Sequence, residues 1–418
     1  MAGTDAIAHH AALDARMARA AKPIRLLSLA SWPASEQQAF LDGWARGNPA
    51  LPDYRYPKHD FSEARRELAA IASAADPTHP LGQYLVESAQ GWVLAAELLE
   101  HLGTRQVTDL SIALFGTPEQ TLPGGATTRE AANHFLLIAD ELDRELIAPS
   151  ERVEISATAL ALRLQSELDD FFDARVIAVE LDPDLIAKAA AGATRIRLRA
   201  GAAFSDYDLQ QLLQHEAFVH SLTALNGQQQ AVLPSLALSS PRVTATQEGL
   251  AVFAEQITGS IDIERMKRVS LRIEAVAMAL EGADFLQVFR YFLESGQSEV
   301  ESFTSAQRVF RGVPTTGGAA FTKDTVYLRG LIGVHTFFRW ALKHRKLRLC
   351  RLLFAGKMTL ADVQRFEPLF DSGDLKEPRW LPAWVARANG LAGTLAFSLF
   401  ANRIRLEQVV SAESIADL

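Results

Sequence analysis

The chain has 418 residues, 48% of them hydrophobic, a formal net charge of -8 and a single cysteine. That length supports a large buried core, in one unit or a few subdomains. The acidic balance excludes a general nucleic-acid binder, and lone Cys350 excludes an intrachain disulfide or a cysteine-rich metal site.

The first residues alternate alanines with Asp5, Asp14, Arg16 and Arg19, without the apolar core of a signal peptide. No run approaches the ~20 apolar residues that span a bilayer. The expectation is a cytoplasmic protein with neither a membrane nor a nucleic acid as partner; the oligomeric state is left open.

Residues 1–22 read as a frayed or amphipathic tail. Helical spacing follows over 34–47 (Phe40, Leu41, Trp44) and 61–75 (Leu68, Ile71), with Pro49, Pro52 and Pro57 between. Helices are expected over 83–103 and 128–149, separated by a loop at Gly116-Thr117-Pro118 and Pro123-Gly124-Gly125. Another spans 150–172, with Ile155, Leu160, Leu162 and Leu168 on its apolar side.

Arg175–Leu181 is then a strand candidate, stopped at Asp182-Pro183, and a short alanine-rich helix runs to about Ala191. Arg195-Ile196-Arg197-Leu198-Arg199 alternates strictly, placing its arginines on one face and Ile196 and Leu198 on the other. The arginine row reads as a solvated face, or as a strand edge that pairs with a peptide. Helices resume at 262–295, 325–348, 359–369 and 387–402, with a mobile loop at Gly312–Gly318. The fold class is α+β, predominantly α-helical.

The chemistry concentrates in Gln214-His215-Glu216-Ala217-Phe218-Val219-His220 and in Gln247-Glu248-Gly249-Leu250. Ser205 and Asp208 have capping-box spacing, and Asp206 and Asp208 suit the positive end of the helix dipole. Leu209, Leu212 and Leu213 define an inward stripe that continues onto Glu216. A carboxylate there is costly unless compensated, and a divalent cation would compensate it.

The two histidines are five residues apart, which in a regular helix separates them by roughly 140°, too far for one ion. A π-type turn brings both rings back to one face, so a local widening is expected between His215 and His220. Glu248, in the first turn of a helix capped by Thr244 or Thr246, is the favoured third ligand. Glu255, seven residues later on nearly the same face, is the rival and otherwise an outer-shell or surface group.

Two imidazoles and a carboxylate suit zinc, one Zn2+ per chain, with an open position for water; manganese, iron or cobalt fit the same set. Glu216 is the expected general base.

Three blocks carry a family resemblance: His215-Glu216 with His220 and Asn226; Gln247 to Ala251; and Phe321-Thr322-Lys323-Asp324 with Tyr327-Leu328 and Gly330. The chain resembles the QEGLA-motif proteins, whose bacterial members are labelled flavohaemoglobin-expression-modulating. It is also similar to the related microtubule-associated tyrosine carboxypeptidases, which remove the C-terminal tyrosine of α-tubulin. The likeness runs from about residue 25 to 340 and is specific after 205.

It implies zincin-like metallopeptidases as the wider group, with His215, His220 and Glu248 as zinc ligands and Glu216 as base. The family usually has Gly-Thr where this chain has Phe218-Val219, a bulkier pair expected to narrow the pocket. A carboxypeptidase needs a cation for the terminal carboxylate and a donor for the oxyanion. Lys323, Arg308 or Arg311 meets the first need and Tyr327 the second.

The resulting division is a variable tail (1–22), a helical N-terminal region (23–169), a zincin-like catalytic core (170–335) and a helical C-terminal region (336–418) packed with the rest. The expected function is zinc-dependent hydrolysis at or near a peptide or protein C-terminus. The alternative is a metal-binding regulatory or scaffold protein without turnover. His134, His335 and His344 are read as core or surface residues, without a ligand role.

Overall fold

Helix Gly3–Ala21 turns Leu13 and Met17 into the core and packs against helices Ser62–Ala74 and Pro80–Glu100. The computed structural model describes residues 3–145, 155–183, 185 and 188–401. The beginning of the chain is thus an amphipathic, packed helix and not a frayed tail. Buried Asp14 fixes it further, accepting from Ser235 N at 2.9 Å and from the Ser235 hydroxyl.

Pro80 opens the longest helix among the described residues, Pro80–Glu100, where the His79 ring accepts from Leu81 N at 3.2 Å. Gly116, at φ 78°, ends helix Gln106–Phe115. Helix Thr128–Glu145 packs along Ile263–Leu280, and Arg129 bridges the pair to Glu274 at 2.6 Å. The expected continuation of the former to 149 lies outside the described residues, as do residues 1–2, 150–154 and everything after 401.

Two small sheets lie beside the central helices. β1 (Ile155–Ser156) and β5 (Ala203–Phe204) are antiparallel, pairing Ile155 with Phe204. Ile155 is therefore on a strand, and Ser156 caps helix Ala157–Phe172 by accepting from Ala159 N at 3.2 Å. β2 (Ala178–Asp182), β3 (Ala189–Ala191) and β4 (Arg195–Arg199) form the second sheet in the order β2-β4-β3, with β2 parallel and β3 antiparallel to β4.

The expected alanine-rich helix is thus strand β3. The stretch between Pro183 and Gly192 is too short to repay helix nucleation, and β4 offers it a ladder of hydrogen bonds instead. Ile196 and Leu198 are fully buried, while Arg195 and Arg197 pair outward with Glu180 and Asp182.

Downstream, the single helix expected over 262–295 is two, Ile263–Leu280 and Phe285–Glu294. They are broken at Gly282 (φ 119°), and Asp284 and Gln287 form a capping box that restarts the chain. Pro368, lacking an N–H, likewise accompanies the division of 359–369 into Leu360–Arg365 and Glu367–Asp371.

The stretch Gly312–Gly318, expected to be mobile, is tied on several sides. Arg105 donates to the carbonyls of Gly317 and Gly318, Thr315 to Pro52, and Gly318 N to Ala279 O. One continuous set of buried apolar side chains runs from Leu13 to Leu395. Among the described residues, no helix is long and apolar enough to cross a membrane.

Candidate metal centre

Ser205 starts the central helix with a reciprocal capping box: its hydroxyl accepts from Asp208 N at 3.2 Å, and the Asp208 carboxylate accepts from Ser205 N at 2.8 Å. After one α-helical stretch, Asp206–Leu212, the backbone changes to a π-helix over Leu213–Ser221 and returns to α at Leu222–Gly227. The wider turn expected from the histidine spacing is present. It brings the His215 and His220 rings to 4.9 Å between centroids, at 81° to each other.

Helix Thr244–Ile257 lies against the π-helix and supplies Glu248. It emerges from a 3-10 turn, Pro241–Val243, without a side-chain cap, so Glu248 falls in its second turn and Thr244 and Thr246 do not cap it. One Glu248 oxygen is 3.6 Å from Nε2 of both histidines. The ligand atoms of His215, His220 and Glu248 all lie within 4.8 Å of one another. Tetrahedral ligands at ~2.0–2.1 Å from zinc are roughly 3.3 Å apart, so this donor set fits such an ion with little adjustment.

The surroundings fit as well. Glu255 is completely buried and takes Nδ1 of His215 at 2.6 Å, so that ring presents Nε2 to Glu248 and His220. Arg265 grips the same carboxylate at 3.2 Å through both Nε and Nη2. Burial opposes the Glu255 charge, but Arg265 and His215 outweigh it and hold its carboxyl below the usual range. A ligand histidine oriented by a buried carboxylate is a common metal-site arrangement.

The same opposition governs the other members. Burial disfavours ionised Glu248, yet the Lys323 charge and the histidines hold it well below its ordinary range. Burial would depress His215, but Glu248 and Glu255 raise it to about 10.

Glu216, half-buried beside His215, has no hydrogen-bonded or ion-paired partner among the described residues. Its carboxylate is free to handle a proton. Lys357 was missed by sequence reasoning. It is 8% exposed, donates to Ser239 Oγ at 2.8 Å and feels the charges of Glu248 and Glu216. Its signal was a lone cation inside the apolar run Leu352–Met358.

The third block meets the site from the other side. Lys323 sits in a 3-10 turn, Thr322–Thr325, ahead of helix Val326–Lys343, and donates to Glu248 at 2.9 Å. Its Nζ is 5.0 Å from the centroid of the Tyr327 ring. The Tyr327 hydroxyl accepts from Arg308 at 3.3 Å, which leaves its own proton available to donate. Arg308 is clamped by Asp324 at 2.7 and 2.6 Å. Lys323 and Arg308, both expected to await a substrate, are therefore engaged with carboxylates of the chain. Arg311 is not.

Other residues of the resemblance hold the frame. Asn226 donates to the carbonyls of Phe354 and Trp380 at 2.8 and 2.9 Å, and its oxygen accepts from Arg379 N and Trp380 N. Gln247 accepts from Thr223 at 3.0 Å, one turn beyond His220. Phe218 turns to Phe171, with centroids 4.5 Å apart, and Val219 is fully buried. Phe218 also walls a surface cleft shared with Gln214, Thr258, Ala383, Trp384 and Arg387.

A search among curated proteins returned no match. The family model of the microtubule-associated tyrosine carboxypeptidases matches residues 38–403, and the chain belongs to that family.

Proposed function

We propose that this member of the microtubule-associated tyrosine carboxypeptidase family is a zinc-dependent metallopeptidase. It would act on a peptide or protein C-terminus, with one zinc ion per chain held by His215, His220 and Glu248. The observation that carries the reading is the convergence of those three donors beside an unpaired Glu216. Family membership supports a protein C-terminus as substrate, and the family's name points to tyrosine as the residue released.

Zinc bound in such a site lowers the pKa of a coordinated water towards ~7 and polarises a carbonyl. Glu216 takes the proton of the attacking water and delivers it to the leaving amine, so that no charged amide nitrogen has to depart. The Tyr327 hydroxyl donates to the oxyanion that develops on the scissile carbonyl. Lys323 steadies Glu248, and Glu255 with Arg265 holds the His215 ring. Arg308, fixed by Asp324, positions the Tyr327 hydroxyl. The likeness of Gln247–Ala251 to the QEGLA-motif proteins belongs to the same reading. So do a zincin-like core over 170–335, helical flanks over 23–169 and 336–418, and a cytoplasmic setting.

The deciding experiment is elemental analysis of the wild type and of Glu248→Ala, purified without added metal, followed by a screen of peptides varied at the C-terminus. About one zinc per wild-type chain and little in the variant is expected, with Glu216→Gln keeping zinc and releasing no residue. Absence of metal after zinc is supplied would end the reading. Biological activity surviving in Glu216→Gln, with zinc still bound and no residue released, would sink the peptidase reading and leave a metal-binding regulatory or scaffold protein as the better account.

A further inference from the structure

A π-helix of nine residues is an uncommon local structure, and Leu213–Ser221 has to be held in it. Its end is visible in the main chain: Leu222 N–H is shared between the carbonyls of Ala217, five residues back, and Val219, three back. Each residue turns a helix by roughly 100°, so sliding the wide turn along the chain would change which side chains face Glu248. The register of the turn therefore matters to the candidate centre.

Helix Thr244–Ile257 grips this stretch at both ends. At the front, Glu255 accepts from Gln211 Nε2 at 3.3 Å and takes His215 Nδ1 at 2.6 Å. At the rear, the Thr223 hydroxyl lies 2.7 Å from Val219 O, 3.3 Å from His220 O and 3.0 Å from Gln247 Oε1. Gln247 and Glu248 are neighbours in sequence, so one stretch of backbone sets both the rear grip and the third ligand. Ser221, fully buried, adds a tie to the sheet by donating to Gly192 O at 2.6 Å.

The rear grip is poor as a stabilising contact. Thr223 has one hydroxyl proton for three acceptors. Gln247 is 5% exposed, yet its Nε2 has no hydrogen-bond partner among the described residues. A buried donor left unpaired destabilises a fold, and an apolar side chain of similar shape would avoid that loss. Fold stability does not explain a glutamine at this position. Its connection does: the amide ties the residue before Glu248 to the turn that follows His220.

We propose that Gln247 and Thr223 are positioning residues of the candidate metal centre, fixing the register of the π-turn so that His220 faces Glu248. This rests on the metal-site reading above and names what regulates the geometry of that site. The tasks divide: Glu255 orients the ring of His215, while Gln247 and Thr223 place the backbone that carries His220.

The test uses the full chain with Gln247→Met, Thr223→Val, the two together, and Thr223→Ser. Competition against a chromogenic chelator gives zinc affinity, and cobalt(II) in place of zinc reports ligand geometry through its visible absorption. Gln247→Met and Thr223→Val are each expected to bind zinc at least roughly tenfold more weakly, with altered cobalt bands. The double variant should fall no further than either single, because the two side chains form one link. Thr223→Ser, which keeps the hydroxyl, should stay close to the wild type. Metal-free Gln247→Met should melt at an unchanged or raised Tm, since an unpaired buried donor has gone. A Tm lowered by Gln247→Met marks the pair as structural and overturns the proposal. So do wild-type affinity and cobalt spectrum in the double variant.

Amide hydrogen exchange across 213–223 in metal-free protein separates the two readings. Zinc bound by the wild type, with exchange and affinity unchanged in the variants, sinks the positioning role alone. Faster exchange confined to that stretch, in variants of a chain that never holds zinc, keeps the link and sinks the metallopeptidase. Unchanged exchange in such a chain sinks both.

Discussion

Gly249 and Gly330 meet backbone on backbone. A Cβ built on Gly249 would stand 2.1 Å from the Gly330 carbonyl carbon, and one on Gly330 would stand 2.1 Å from the carbonyl oxygen of Ala245. The helix that carries Glu248 and the helix that begins at Val326 can therefore close on each other, so that Glu248 reaches Lys323. Only a residue without a side chain permits that approach.

Gly249→Ala is expected to destabilise the fold by about 1–3 kcal/mol or more, because the obstructing atoms are main chain and no rotamer relieves them. Thermal unfolding should register a Tm lowered by a few degrees, together with weaker retention of metal. Unchanged values of both would show that the two helices do not need this contact.

Glu255→Gln tests the support of His215. The amide keeps the volume and removes the charge that holds the Nδ1 proton, so metal affinity should weaken roughly 10- to 100-fold while the stoichiometry at saturation stays the same. Competition against a chromogenic chelator measures this directly. Equal affinity in wild type and variant would mean that Glu255 does not orient the ring.

Lys357 predicts a pH dependence. Burial pushes its ammonium down to about 8, against the pull of Glu248 and Glu216, whereas an unfolded lysine titrates near ~10.4. Between those values the unfolded chain holds a proton that the folded chain has released, so stability from this group rises with pH across the window. The penalty is fully present below about 8 and disappears as pH approaches the unfolded value. Lys357→Met should remove a cost on the order of 3 kcal/mol near neutral pH. In chelated protein, its Tm advantage should shrink as pH is raised towards about 10. An advantage that does not change with pH, or none near neutrality, would contradict a buried charge at this position.

The π-turn was legible in the sequence because five-residue spacing between two histidines has few geometric solutions. Helices such as Ser62–Ala74 and Val326–Lys343 were legible through apolar periodicity. Strand β3 was not: alanine favours helix locally, and the partner that overrules it, β4, adds its hydrogen bonds only after the chain has folded back. Lys357 was hidden for a related reason: it is an ordinary basic residue until distant elements bury it. Which carboxylates would satisfy Lys323 and Arg308 was a question of tertiary contact, beyond the reach of spacing.

The π-helix also restricts how this chain can change in length. Deleting Phe218 would leave the histidines four apart and permit an ordinary helix, superficially a repair. It would also turn everything beyond by roughly 100°. Thr223 would lose Gln247, and Asn226 would leave its four backbone partners in the segments at Phe354 and Arg379–Trp380. The five-residue spacing is thus tied to the rest of the fold: shortening it demands that the junction with the C-terminal segments be rebuilt at the same time.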